Sequence, residues 1–418
     1  MIHWIKLSEL RTPNHEPYTL DLEPKEYMTT EIQDDQELLR SLRVALVHDW
    51  LTGMRGGEKC LEVFCEIFPQ ADIYTLLHIK GSVSPTIETH RIKTSWIQHL
   101  PWVERKYRNY LPLFPRAIES FSLKGYDLIL SSSHCVAKGI PVPPGALHVA
   151  YIHTPMRYVW DLYDVYFGRE STAGRPAKII MPAIRPFLQK WDVRSNDRVH
   201  YFLANSDHVR RRIMRHYNRP AEVIHPPVDT QAFDLSPEPK DYYLLVSALA
   251  PYKRVDLAIR AFNRMGKPLV IVGTGPLMTP LQKESGKTIS WLGWQPSESL
   301  KKLYGECRAF IFPGEEDAGI TPLEAQASGR PVVAFGRGGA LETVVPLGDY
   351  QEGKRDFFSG IFFPEQTEES FSKAIHILEN QIHLLEPERV RTHAGTFDRQ
   401  VFKERITRSL MQKLKERP

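Results

Sequence analysis

The chain has 418 residues, 42% hydrophobic and 25% charged, with a formal net charge of +4, a length that exceeds one ordinary hydrophobic core and suits two domains. This is the composition of a folded globular protein; fibrous and low-complexity classes are excluded, and so small a positive excess does not by itself imply nucleic-acid binding. No stretch approaches the ~18 uninterrupted apolar residues of a spanning helix, and Met1–Leu10 lacks an apolar signal region, so a cytoplasmic address with at most peripheral membrane attachment is expected.

In chain order, residues 1–40 read as an N-terminal extension, since His3 to Gln36 is acidic, contains several prolines and has no sustained period. The first buried strand is Arg43–His48, followed by the glycine-containing loop Asp49–Gly57 and a helical pattern over Glu58–Phe68. Further strands are expected at Leu128–Ser131, His148–Ile152 and His200–Ala204, giving a first α/β domain over 41–228. The run Ser236–Asp241 marks a linker within 229–241. A second α/β domain, 242–390, alternates strands (Tyr242–Ala248, Leu269–Val272, Ala309–Phe312, Pro331–Phe335) with helices (Val255–Met265, Pro322–Ser328), the pattern of a parallel sheet. The segment 391–418 is expected to end the chain as a basic helix, over Asp398–Arg417, lying against either domain. Cys60, Cys65, Cys135 and Cys307 form no CxxC pair and have no histidine cluster beside them, so no zinc site, other metal or disulfide framework is expected.

Gly273-Thr-Gly-Pro276 follows a buried strand but lacks the third glycine of a dinucleotide fingerprint, so it reads equally as a tight turn or a phosphate contact. Phe312–Val333 is more specific. Two carboxylates, Glu316 and Glu324, are separated by seven residues across a glycine-containing loop that enters a helix. Pro322 suits the first helical turn, and the amides of Gly319, Ile320 and Thr321 would point at whatever occupies the loop, as helix N-termini do towards phosphate. Taken alone, Thr321-x-x-Glu324 also reads as a capping box, with Glu324 reaching back to the Thr321 amide.

These residues resemble the family 4 glycosyltransferases of the GT-B fold. The shared pattern is the pair of glutamates, an alanine-rich helix, Gly329 and the strand Pro331-Val-Val333. Gly56-Gly57-Glu58, Ala204–Arg210, Val223–Asp229 and Lys253-Arg-Val-Asp256 match further landmarks in the same order. Tyr151–Trp160 looks closest to mannosyltransferases of bacterial surface polysaccharide assembly.

The resemblance implies two Rossmann-like domains facing each other across a cleft, and a retaining transfer of a hexose from a nucleotide diphosphate sugar, with GDP-mannose as the best single donor. Cations and N–H donors must then face the departing phosphate and acceptors the sugar. Lys253 and Arg254 would neutralise the diphosphate beside the loop Ala318, Gly319, Ile320 and Thr321. Glu316 would hold sugar hydroxyls, Glu324 the ribose diol, and His153 the region of the donor sugar. Gly56, Gly57, Gly273 and the base-lining loop around Trp294 complete the expected donor contacts. No cofactor is expected beyond the donor substrate.

One departure stands out. The turn that usually carries an arginine before the basic loop reads Ser247-Ala248-Leu249, while Arg254 stands where the family often has glycine. Arg254 therefore reads either as a second phosphate cation or as a surface ion pair. The acceptor is expected to be a glycan or lipid-linked glycan. Lys93–Phe114, where Trp96, Trp102, Tyr107, Tyr110 and Phe114 interleave with basic residues, reads as a headgroup surface or as an ordinary helix pair with an aromatic core. Two other functions compete: a catalytically weak nucleotide- or glycan-binding subunit of a partner complex, and a sugar-nucleotide epimerase.

Overall fold

The computed structural model describes residues 38–416 except 40, 169–170, 172–173 and 236–237. The proposed extension 1–40, apart from Leu38 and Leu39, therefore lies outside the described residues, as do Ser236, Pro237 and Arg417. The first domain is a seven-stranded sheet: β1 (Val44–His48), β2 (Asp72–Thr75), β3 (Arg91–Thr94), β4 (Leu128–Ser133), β5 (Leu147–Ile152), β6 (Tyr201–Ala204) and β7 (Ala221–Val223). Its order is β3-β2-β1-β4-β5-β6-β7 and every pairing is parallel. The second domain holds β8 (Tyr243–Val246), β9 (Leu269–Val272), β10 (Ile289–Gly293), β11 (Ala309–Phe312), β12 (Val332–Phe335) and β13 (Gly360–Phe363), in the order β10-β9-β8-β11-β12-β13, again all parallel. Both orders are doubly wound, as the alternation of apolar runs and helices leads one to expect.

Strand order reverses between β1 and β4 in one sheet and between β8 and β11 in the other. In such sheets the loops leaving the carboxyl ends of those strands diverge and open a crevice. The segments that leave them here include Asp49–Arg55, Ser247–Arg254 and Pro313–Gly319, which carry Lys253, Arg254, Glu316, Ala318 and Gly319 among the residues singled out above. Six helices matter for the site and its surroundings: α1 (Gly56–Ile67), α2 (Arg175–Arg194), α3 (Asp207–Tyr217), α4 (Val255–Met265), α5 (Ile320–Ala327) and α6 (Arg399–Lys415).

Five short strands go beyond those that the sequence pattern predicts. β2 and β3 read Asp-Ile-Tyr-Thr and Arg-Ile-Lys-Thr, and β3 is an edge strand with no fully buried residue. β10, also an edge, alternates exposed positions with inward-facing ones, β7 has three residues, and β13 lies beyond the last strand expected. Edge and very short strands need little apolar content, so their periodicity is weak.

The helix expected over Asp398–Arg417 is α6, while the terminal segment 391–418 as a whole is not one helix. Its boundary falls inside a helix, Pro387–Gly395, and the chain breaks before Asp398, whose carboxylate accepts from the Gln400 amide at 2.8 Å and from Thr230 Oγ1 at 2.5 Å. α6 then crosses back to the first domain. Phe402, Ile406, Leu410 and Met411 join Phe64 and Tyr151 in its core, burial worth about 1.5–3 kcal/mol per large side chain. Arg399 pairs with Glu62 at 3.0 Å and Glu66 at 2.6 Å on α1. The last helix thus staples the end of the chain to the domain in which it began.

Candidate functional site

The turn before α5 is built by a glycine. Gly319 takes φ 72° as the N-cap, and a Cβ there would stand 3.2 Å from the Phe312 ring. An L side chain is strained in that backbone region, so glycine lets the chain reverse tightly from β11 into the helix. The first-turn amides of α5 have no partner within the helix. The start of α5 lies against the other domain, since a Cβ on Gly56 would stand 3.0 Å from Ile320 Cδ1. The N-termini of α1 and α5 therefore meet across the seam, and both positive dipole ends favour an anion there.

The seam is held by charge. Asp317 takes one guanidinium on each carboxylate oxygen, Arg157 on Oδ2 and Arg212 on Oδ1, while Ser206 Oγ donates to its carbonyl at 2.5 Å. Glu342 accepts from the α3 amides of Asp207 at 2.6 Å and His208 at 3.0 Å, and lies 2.9 Å from His225 Nε2. Glu324 accepts from Lys59 Nζ of α1 at 2.6 Å and from Tyr304 OH at 2.8 Å. The capping box is not formed: α5 starts at Ile320, Gly319 caps it, and the Glu324 carboxylate is turned to Lys59 and Tyr304. The Glu324 charge raises the Lys59 pKa above its ordinary value.

A cavity of about 500 Å³ opens between the domains, and Arg157, Arg212, Tyr252, Arg254, Glu316 and Asp317 are among its walls. Glu316 is paired with Lys253, so two of the expected catalytic residues touch each other at its edge. Arg254 lines the cavity, lies 3.3 Å from Asp256 and donates to Gln366 at 2.9 Å. It is both an ion-paired residue and a cavity cation. Its φ of 52° accounts for glycine being suited to this position, and such conformations persist in non-glycine residues mainly where the surroundings hold them. On the facing wall Arg157 lies 5.7 Å over the Tyr252 ring. Burial works against its charge, but Asp317 and the neighbouring tyrosine hydroxyls outweigh that and raise its pKa.

His153 stands behind this cavity rather than on its lining. It is buried at the end of β5, with Nε2 2.8 Å from Ser132 Oγ, which is itself 3.1 Å from His48 Nδ1. A Cβ on Gly57 would be 3.3 Å from His48 Cε1 and 3.6 Å from His153 Nε2, so the glycine lets α1 approach the two imidazoles. His134 Nδ1 lies 3.1 Å from Asp49, which also accepts the amides of residues 134–137.

Burial lowers the His134 and His148 pKa values to about 3, and His153 lies well below the usual 6.5. All three fold neutral and regain an ordinary pKa on unfolding. The unfolded chain then binds more protons below pH 6.5, so stability is complete above that pH and falls as pH drops towards 3. Each histidine contributes a slope of about 1.4 kcal/mol per pH unit in that window. A denaturant midpoint that stays constant from about pH 7 to about pH 4.5 would contradict this linkage.

The remaining expected residues divide by location. Gly273, at φ 132°, packs where a Cβ would stand 1.9 Å from the Ser247 carbonyl oxygen. Its glycine is thus required by a backbone crossing, whatever it does for a ligand. Trp294 is 73% exposed beyond β10. In Lys93–Phe114, Tyr107 and Phe114 are buried against Trp50, while Trp96 and Trp102 are exposed, so the aromatic residues divide between core and surface. The four cysteines are buried free thiols.

Sequence reasoning did not find Arg157, Arg212, Asp317, Lys59 or Tyr304. Arg157 and Asp317 do lie inside two of the motif stretches, but nothing local says that they meet across 160 residues of chain.

Residues 229–392 match the family profile described as glycosyl transferases group 1. The O-antigen chain mannosyltransferase C of Escherichia coli is 26% identical over 174 residues, 40% of this chain and 43% of that protein. The match thus spans less than half of that relative. The O-antigen chain mannosyltransferase RfbU of Salmonella typhimurium is 26% identical over 296 residues, 68% of this chain and 75% of that one. Among solved structures, Anabaena Alr3699/HepE in complex with UDP and glucose superposes with a TM-score of 0.65 at 15% identity, covering 88% of this chain and 99% of that chain. At that identity the likeness is one of fold, the GT-B arrangement of two Rossmann-like domains.

Proposed function

We propose that this chain, whose residues 229–392 match the profile of the group 1 glycosyl transferases, is a retaining hexosyltransferase that uses a nucleotide diphosphate sugar. Mannose from GDP-mannose is our choice of donor, and a glycan or lipid-linked glycan of polysaccharide biosynthesis our choice of acceptor. The reading rests on one observation: the turn before α5, flanked by Glu316 and Glu324, faces the first domain beside a cavity lined by cations.

In this reading the diphosphate lies against the first-turn amides of α5, with Lys253 and Arg254 beside it, and Arg157 supplies from the facing domain the cation that Ala248 cannot. The bond from the anomeric carbon to the phosphate oxygen breaks as a bond to the acceptor hydroxyl forms on the same face. The acceptor proton passes to the departing phosphate. Donors aimed at the charge that develops on the phosphate lower the barrier. Glu316 binds sugar hydroxyls, and its release from Lys253 on donor binding frees that ammonium for the phosphate. His153, held by Ser132, shapes the sugar side of the pocket. The reaction would be cytoplasmic.

The test is a thermal-shift series with UDP, GDP, ADP and their sugars, followed by turnover of labelled donor. A nucleotide at a hundredfold excess over its Kd should stabilise the fold by about 2.7 kcal/mol. GDP is expected to give the largest shift. Glu324→Ala should reduce the shift and also lower the unliganded melting temperature, because Tyr304 OH loses a buried partner, a cost of about 1–3 kcal/mol. Lack of a shift with every nucleotide would overturn the reading. Nucleotide affinity without transfer would identify a binding subunit, and isomer or free sugar formed without acceptor would identify an epimerase.

A further inference from the structure

Helix α2 is apolar on both sides: Met181, Ile184, Leu188 and Trp191 pack inward into the core of the first domain, and the opposite side is apolar as well. From Pro176 to Phe187 its exposed residues are Pro176, Ile179, Ile180, Pro182, Ala183, Pro186 and Phe187, with Ile179 76% and Phe187 56% exposed. Its charged groups in the same stretch are drawn back: Lys178 Nζ donates to the Ser171 carbonyl at 2.8 Å, and Arg185 donates to the Val159 carbonyl at 2.9 Å. A surface helix of a globular protein ordinarily carries charged and polar residues on its outward side, and contiguous exposed apolar faces mark sites of interaction.

The charge of the face selects its partner. The helix continues into exposed Lys190, Val193 and Arg194, and its one acid, Asp192, is buried, accepting from Trp160 Nε1 at 2.8 Å and Tyr217 OH at 2.9 Å. An apolar face bordered by cations and free of exposed acids within the helix is complementary to an anionic lipid surface. The inward side of α2 supports the segment that reaches the cavity. Arg185 and Gln189 both hold the Val159 carbonyl, and Arg157, Asp161 and Leu162 of that segment line the cavity.

We propose that the outward face of α2 is the docking surface of this protein on an anionic bilayer. The helix lies in the headgroup plane with Ile179, Ile180 and Phe187 inserted and Lys190 and Arg194 at lipid phosphates, so that the interdomain cavity opens one helix layer from the membrane. The surface stands on exposure and charge alone and does not depend on the transfer reaction.

The full chain is mixed with phosphatidylcholine vesicles, with and without phosphatidylglycerol, and bound protein is measured by co-flotation. The wild type should bind the anionic vesicles, and the Ile179→Glu/Phe187→Glu variant should bind at least about tenfold more weakly with an unchanged melting temperature. Lys190→Ala/Arg194→Ala should lose the preference for phosphatidylglycerol. Undiminished binding by the first variant, or no vesicle binding by the wild type, would overturn the assignment. So would a wild-type dimer that the same variant converts to monomer, because the face would then join two copies of the chain. Nucleotide thermal shifts on the same variant stay at wild-type size if the docking surface and the donor site are separate, so failure of one reading leaves the other readable.

Discussion

Glu316→Ala is expected to lower kcat by about 10²–10³-fold while the Kd for a nucleoside diphosphate changes by less than about threefold. The carboxylate lies at the cavity edge on Lys253, past the end of β11. The Gly339 amide donates to the Glu316 carbonyl at 2.8 Å and fixes the residue against the β12 side of the turn, so truncating the side chain would remove the proposed sugar contact without moving the loop proposed to bind phosphate. Interactions made more strongly in the transition state than in the ground state appear in kcat rather than in binding. Glu316→Gln should recover part of the loss, since an amide still accepts from a sugar hydroxyl. Steady-state turnover together with calorimetric binding separates the two quantities. An equal loss of nucleotide affinity would remove the sugar role, because Glu316 would then be acting on Lys253 and the diphosphate.

The second large effect is expected from Arg157→Ala, which should lower kcat/KM by about 10²-fold, the size of one lost charged contact to the developing phosphate charge. The motive is an exchange between walls. The turn after β8 carries Ala248 where the resemblance leads one to expect an arginine, and across the cavity Arg157 lies over Tyr252 and against Asp317. Asp317 keeps Arg212 in the variant, so the seam retains one of its two guanidinium pairs and the fold should persist. Arg157→Lys keeps the charge but loses the planar fork, and should recover only part of the rate. Introducing Ala248→Arg in the Arg157→Ala background gives a more pointed measurement. Recovery of activity there would identify the two positions as alternative sources of one charge, whereas a rate that stays low with a lowered melting temperature would reduce Arg157 to a strut of the seam.

Both predictions concern residues that local pattern reveals very unequally. Glu316 is visible because its motif is contiguous: a buried strand, a glycine turn and a helix start lie within a short stretch, and their backbone requirements leave a trace in residue choice. The α/β class is legible for the same reason, since β1, β4, β5, β9, β11 and β12 are apolar runs whose burial on both faces is written in their own composition. The glycines at 56, 57, 273 and 319 announce close approaches, although only the fold says what approaches them.

Tertiary structure decided what no local window contains. Glu324 reads as a cap until Lys59, 265 positions away, is brought onto it; Arg157 is one basic residue among many until Asp317 arrives from the other domain. The terminal helix could lie against either domain, and four apolar side chains meeting the core around Phe64 set it on the first. Helix α2 carries apolar residues on two sides, and only its packing shows that Met181, Leu188 and Trp191 are the core side while Ile179, Ile180 and Phe187 face outward. Backbone preference and hydrophobic period act over a few residues and so appear in the sequence as patterns. Ion pairs, domain seams and the orientation of a face are set by which distant surfaces meet, and that is determined once the chain has folded.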